Sequence, residues 1–176
     1  MKRLFFILTA CVALLVLLIG AAGVVGAMLP RRYHAVSTAH LGVPRDSVWA
    51  AIAMERSATW RTDITAVRRL PDHDGHEVWE QQDRDERWPL ELTVVRPPDR
   101  LVATLADSSH GLGATWTWEL EDEHDGTRVT VVEDGFIANP MVRFMANCVF
   151  GLDFIGRQYL KDLGRHFGET VSPRKG

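Results

Sequence analysis

Cysteine is scarce in this chain: Cys11 and Cys148 are its only two, and no C-x-x-C occurs. Cys11 lies in an uncharged run and Cys148 in a later stretch of helical periodicity. An intrachain disulfide framework is therefore excluded, and so is a cysteine-based zinc finger. G-x-S-x-G is also missing, and Ser108-Ser109-His110 falls in a loop pattern. Gly111-Leu112-Gly113 lacks the lysine and the following helix that a phosphate-cradling loop requires. No residue pattern asks for a cofactor or a resident metal, and no internal repeat is present.

Charge is absent from Leu4 to Leu29, a run of 26 residues reading LFFILTACVALLVLLIGAAGVVGAML. As a helix this run extends about 39 Å, enough to cross a hydrocarbon core of about 30 Å with some tilt. Lys2 and Arg3 precede it, and Arg31 and Arg32 follow. Three readings compete. A cleaved signal peptide has a shorter apolar stretch and a sharper small-residue exit than Gly20 to Ala27 offers. A lipoprotein signal matches Leu8-Thr9-Ala10-Cys11, but the apolar stretch before Cys11 is short and another apolar run follows. A retained single-span anchor fits the length best, with residues 4–29 in the membrane. The basic flanks are nearly balanced and fix orientation poorly. The default for a short N-terminus puts the domain outside a bacterial-type plasma membrane.

Basic residues are few once that segment is set aside. Residues 1–32 carry four basic residues and no acidic one. The rest has 16 Lys and Arg against 23 Asp and Glu, a net of −7. Nucleic-acid binding needs clustered cations on phosphates, so it is excluded as a function.

What is present is period. Tyr33 to Val43 reads as a strand that Pro44 ends. Arg45 to Ile52 reads as a short helix, and a further helical turn is expected over 55–60. Period two then takes over, predicting strands at 63–70, 76–83, 87–95, 100–106, 113–120 and 127–135. Trp88, Leu90, Leu92 and Val94 alternate with polar neighbours, as do Ala114, Trp116, Trp118 and Leu120. Such alternation belongs to an antiparallel sheet with one covered face. Asn139-Pro140 is an N-cap and first-turn pair. From Met141 to Phe167 apolar residues recur at helical spacing, predicting one helix of about 28 residues, bent at Gly151. Residues 170–176 read as a frayed polar tail.

This order, with VPRDSVWAAIA, ATWRTDITAVRRL, HEVWEQ, RPPDRLVATLAD, GATWTWELED, HDGTRVTVVEDGFIANPMVRF and YLKDLGRHFGE, resembles the START-like or SRPBCC superfamily, in its polyketide cyclase and lipid-transport branch. The resemblance covers about residues 33–169. It implies an α+β helix-grip fold: a curved antiparallel sheet of six or seven strands around a long C-terminal helix. Here an N-terminal transmembrane helix is added. The expected organisation is an anchor at 1–32, the domain at 33–169 and the tail at 170–176. The resemblance also implies a cavity between sheet and helix for a hydrophobic small molecule or lipid.

Two HDG tripeptides, His73-Asp74-Gly75 and His124-Asp125-Gly126, invite a metal reading. Both fall where hairpins must turn, and Asp-Gly is favoured in tight hairpins. They read as turns. On the implied cavity, Trp88, Leu90, Leu92, Trp116 and Trp118 are the expected sheet wall, with Phe144, Cys148 and Ile155 opposite. Glu80 and Glu133 are the weak candidates for an acid or base; for Glu133 the plainer expectation is an ion pair with Arg143. The leading expectation is a membrane-held binding or carrier domain without catalysis. The alternatives are a cyclase or dehydratase-like enzyme and a non-catalytic module for a protein partner.

Overall fold

The period-two alternation is realised as one antiparallel sheet. A computed structural model of the chain describes residues 2–54, 57–84, 86–106 and 111–176, without the side chains of Leu4 and Phe5. Glu55 and Arg56 of the expected helical turn, Asp85 of a hairpin, and the loop containing Ser108 to His110 lie outside the described residues. The elements in chain order are α1 (Lys2–Met28), β1 (Arg32–Leu41), α2 (Arg45–Ile52), α3 (Ser57–Trp60), β2 (Ala66–His73), β3 (His76–Asp83), β4 (Glu86–Arg96), β5 (Arg100–Leu105), β6 (Leu112–Glu123), β7 (Gly126–Ile137), α4 (Pro140–Phe144), α5 (Phe154–His166) and β8 (Arg174–Lys175). A π-helical stretch, Met145–Phe150, continues α4.

The chain forms two compact units. One joins residues 1–31 with 137–151; the other joins 32–136 with 152–176.

In the larger unit the sheet order is β2-β3-β4-β5-β6-β7-β1-β8. Consecutive strands from β2 to β7 are neighbours, and β1 closes against β7 in antiparallel register, with Val36 opposite Val132. Both HDG copies are turns. Asp74 and Gly75 have φ of 49° and 84° and close the β2–β3 hairpin, as two-residue hairpins with positive φ require. His124-Asp125 turns β6 into β7. There a Cβ on Gly126 would lie 2.0 Å from the Leu41 carbonyl oxygen. The tail is ordered by pairing: Ser37 and Thr38 of β1 face Lys175 and Arg174. An unpaired edge strand offers donors and acceptors, and these two residues take some of them.

The single helix expected from Met141 to Phe167, bent at Gly151, is interrupted there. Gly151 adopts φ of 88°, outside the right-handed helical region and open to glycine at little cost. α5 restarts at Phe154 with Gly156, Tyr159, Leu160, Leu163 and Gly164 buried. Their spacing is that of one helix face. Leu160 and Leu163 join Leu41, Val48, Ile52, Val129 and Val131 in a core at 2 % exposure or less. Each such side chain contributes roughly 1.5–3 kcal/mol by leaving water.

In the smaller unit, Asn139 caps α4. Its Oδ1 accepts from the N–H groups of Met141 at 2.8 Å and Val142 at 3.3 Å. Phe6–Met28 of α1 is long and apolar enough to cross a membrane or to serve as a signal sequence.

Candidate functional site

Between the sheet and α5, aromatic rings pack against one another. Trp60 meets Tyr159 edge-on at 5.1 Å, and Trp118 meets the same ring at 5.6 Å. The indole of Trp60 donates to the Ala51 carbonyl at 2.9 Å, which locks its orientation. Such ring pairs pack densely and leave little volume. A cavity of about 450 Å³ opens instead at another end of the sheet, between α2 and the strands β3 to β5.

One wall comes from the end of α2: Trp49 and Ile52, then Ala53 and Met54. The amphipathic spacing of α2 sends Val48, Ala51 and Ile52 into the core, which presents Trp49 and the residues after Ile52 at the cavity. The other wall comes from β3 to β5, with Trp79, Leu92, Val95 and Leu101. Polar groups are few: His76, Glu77 and Thr93. Glu77 accepts from the Trp79 indole at 3.1 Å and pairs with Arg69 at 3.3 Å. The Arg69 guanidinium lies over the Trp79 ring, 5.4 Å from its centre. A cation on one side and a carboxylate on its N–H thus hold Trp79 in place. An apolar cavity of this size with a few polar groups is what a small hydrophobic ligand requires.

Among the expected wall residues, Leu92 lines this cavity. Leu90 and Trp118 belong to the buried core, and Trp88 and Trp116 pack against it. Ile155 is 49 % exposed: α5 is rotated so that Gly156 takes the inward position. Cys148 is exposed, and Phe144 is half-buried in α4. Trp49, Met54, Trp79 and Val95 were not singled out in the sequence. Val78 and Trp79 are adjacent in β3, so alternation did not single out Trp79, and nothing local marked α2 as the opposite wall.

The two carboxylates differ. Glu80 pairs with Arg68 across β2 and β3 at 2.9 Å. Glu133 is 1 % exposed. Its Oε1 accepts from the Gly156 N–H at 2.7 Å and its Oε2 from the Trp116 indole at 3.2 Å. Burial pushes its carboxyl up to about 7, with the nearby Asp153 charge adding to the shift; the two hydrogen bonds oppose it. The expected ion pair with Arg143 gives way to other partners. Arg143 donates to the carbonyls of Gly26, Ile137 and Ala138. Neither Glu80 nor Glu133 lines the cavity.

Residues 42–152 match the family described as Activator of Hsp90 ATPase homolog 1-like protein, AHSA1. No curated protein matches the chain by sequence. Among solved structures, the di-domain aromatase/cyclase StfQ of the steffimycin biosynthetic pathway superposes with a TM-score of 0.63 at 10% identity over 78% of this chain. The chain spans about half of that protein, 52%. The Zhui aromatase/cyclase from Streptomyces sp. R1128 gives a TM-score of 0.62 at 15% identity, covering 78% of this chain and 92% of that one. Major latex-like protein 151 from Panax ginseng gives 0.57 at 10% identity, over 78% and 98%. At these identities the likeness is one of fold, the helix-grip arrangement.

Proposed function

The chain belongs to the AHSA1 family of the SRPBCC superfamily, and from that premise we propose that it is a membrane-held binding or carrier domain for a hydrophobic small molecule or lipid. The observation that carries this is the cavity of about 450 Å³ walled by Trp49, Ile52, Met54, Trp79, Leu92, Val95 and Leu101. It falls within the roughly 300–1,000 Å³ range of ligand sites and is mostly apolar. The apolar helix α1 supplies the tether. A tether raises the effective concentration of the domain near bilayer-resident ligands without any new contact.

A cyclase-like enzyme is the second reading, supported by His76 and Glu77 in the cavity wall. Glu77 already serves Trp79 and Arg69, and Glu133 does not line the cavity, so binding leads.

The test uses the full chain in detergent. Organic extraction and mass spectrometry identify what co-purifies, and titration with cis-parinaric acid reads energy transfer from the cavity tryptophans. A stoichiometric apolar compound, or saturable uptake of about one probe per chain, is expected. No co-purifying compound together with no saturable uptake overturns the reading and favours a protein-partner module.

A further inference from the structure

The stretch Ile137 to Gly151, IANPMVRFMANCVFG, holds one charged residue, Arg143. That charge is turned inward. Arg143 is 3 % exposed. Its Nε donates to the Gly26 carbonyl at 2.8 Å, and its Nη1 to those of Ile137 at 2.9 Å and Ala138 at 2.7 Å. The Gly26 carbonyl is one that α1 cannot satisfy by itself. Its helical donor would be residue 30, and Pro30 has no N–H. The guanidinium therefore caps the C-terminal end of α1, where a cation also opposes the negative end of the helix dipole. The approach is close: a Cβ on Gly26 would fall 1.9 Å from the Pro140 carbonyl oxygen. Α bulkier residue there would push the two helices apart.

Within Pro140–Phe150 the exposed residues are Pro140, Val142, Cys148, Val149 and Phe150. Val142 is 41 % exposed, Val149 55 % and Phe150 50 %, with the Cys148 thiol exposed beside them. The occupant follows from α1, so the inference rests on the anchor reading above. With Phe6–Met28 in the hydrocarbon, the last turn of α1 lies at the bilayer boundary, and Arg31 and Arg32 mark the headgroup level. A segment fastened to that last turn through Gly26 sits at the same depth. We propose that Pro140–Phe150 is a second membrane contact, lying in the bilayer interface with Val142, Val149 and Phe150 among the acyl chains. Interfacial helices need an apolar face and polar groups that stay satisfied at that depth. Here the one charge is already hydrogen-bonded to carbonyls, so entering the interface strips little water from it.

The test uses the full chain in phosphatidylcholine proteoliposomes. In the Cys11→Ser variant, Cys148 is the sole thiol and carries an NBD probe. In a second sample, Cys11→Ser, Cys148→Ser and Gly20→Cys place the probe in α1, where a Cβ at Gly20 meets nothing within 4 Å. The Cys148 probe is expected to lose emission to lipids brominated near the headgroup and to resist aqueous iodide. The probe at position 20 is expected to lose emission to lipids brominated deep in the chains. If the position-20 probe behaves so while iodide quenches the Cys148 probe, the anchor stands and the proposal is overturned. A Cys148 probe shielded from both iodide and brominated lipid also overturns it, pointing to a second copy or a protein on this face. If brominated lipid reaches neither probe, the anchor reading fails and the proposal with it.

Discussion

Gly156 gives its backbone N–H to Glu133 at 2.7 Å, and no side chain fits between them. A Cβ on Gly156 would lie 2.7 Å from Glu133 Oε1 and 3.0 Å from Ser37 Oγ. Gly156→Ala must therefore shift α5 or expel the carboxylate. Overpacking of this kind costs about 1–3 kcal/mol. Urea unfolding of the full chain in detergent should show a lower midpoint with an unchanged slope.

Glu133 also sets a pH dependence. Its carboxyl titrates at about 7 when folded, against 4.5 for the ordinary group, because burial disfavours the charge. The folded state thus holds the proton more tightly than the unfolded state. The stability this brings is full below about pH 4.5, falls as pH rises from there to about 7, and levels off above. The groups facing it are Tyr33 and Ser37 of β1, Trp116 of β6, and Asp153 before α5. Tyr33 is itself pushed up to about 12 by burial and by the neighbouring Glu133 and Asp134 charges, and does not titrate in this window. Asp153 pairs with Arg157 at 3.4 Å. Glu133→Gln keeps an acceptor for Gly156 and removes the charge, but sets its amide NH2 against the Trp116 indole N–H, which loses its acceptor. It should flatten the loss of stability between about pH 4.5 and about pH 7; at the alkaline end the removed charge contributes up to about 3 kcal/mol, reduced by about 1 kcal/mol for the lost hydrogen bond. Unfolding midpoints of both proteins across that range are the measurement.

Ala53 lines the cavity without belonging to the buried core. Ala53→Trp should fill the volume and weaken uptake of cis-parinaric acid at least about tenfold, equivalent to about 1.4 kcal/mol. The melting temperature should hold. Unchanged uptake would place the ligand elsewhere.

Asp162 is 1 % exposed and ties α5 to the segment that follows α3. Its Oδ2 accepts from the Thr62 N–H at 2.8 Å and the Thr62 hydroxyl at 2.6 Å. Its Oδ1 accepts from Gln158 at 2.7 Å and from the Arg165 guanidinium. Asp162→Ala leaves the Thr62 and Gln158 donors without their acceptor, while the exposed Arg165 guanidinium turns to water; losing hydrogen bonds to a buried charged group costs about 1.5–3 kcal/mol. Denaturant unfolding should show this loss, and Asp162→Asn should recover part of it by keeping an acceptor oxygen.

Strand positions were legible because period two and turn chemistry are local. Trp116 and Trp118 alternate with threonines, and Asp74-Gly75 asks for positive φ wherever it occurs. The Asn139-Pro140 cap was legible for the same reason. Ile155 was misread because hydropathy credits isoleucine and passes over glycine; Gly156 is inward since Glu133 leaves no room for a Cβ. Arg143 was assigned a carboxylate because the sequence does not reveal that Pro30 deprives Gly26 of its donor at the spot where α4 arrives.

The sequence by itself determined where the strands lie along the chain, the hairpin turns, the apolar N-terminal helix and the resemblance to a helix-grip superfamily. All of these rest on neighbours within a few residues, where backbone sterics and side-chain alternation act. Only the tertiary structure decided where the open volume lies. Trp60, Trp118 and Tyr159 come from three distant elements, and their rings close the space beneath α5. The cavity therefore moves to the junction of Trp49 and Trp79, because packing density is set by which side chains meet and not by which residues are hydrophobic.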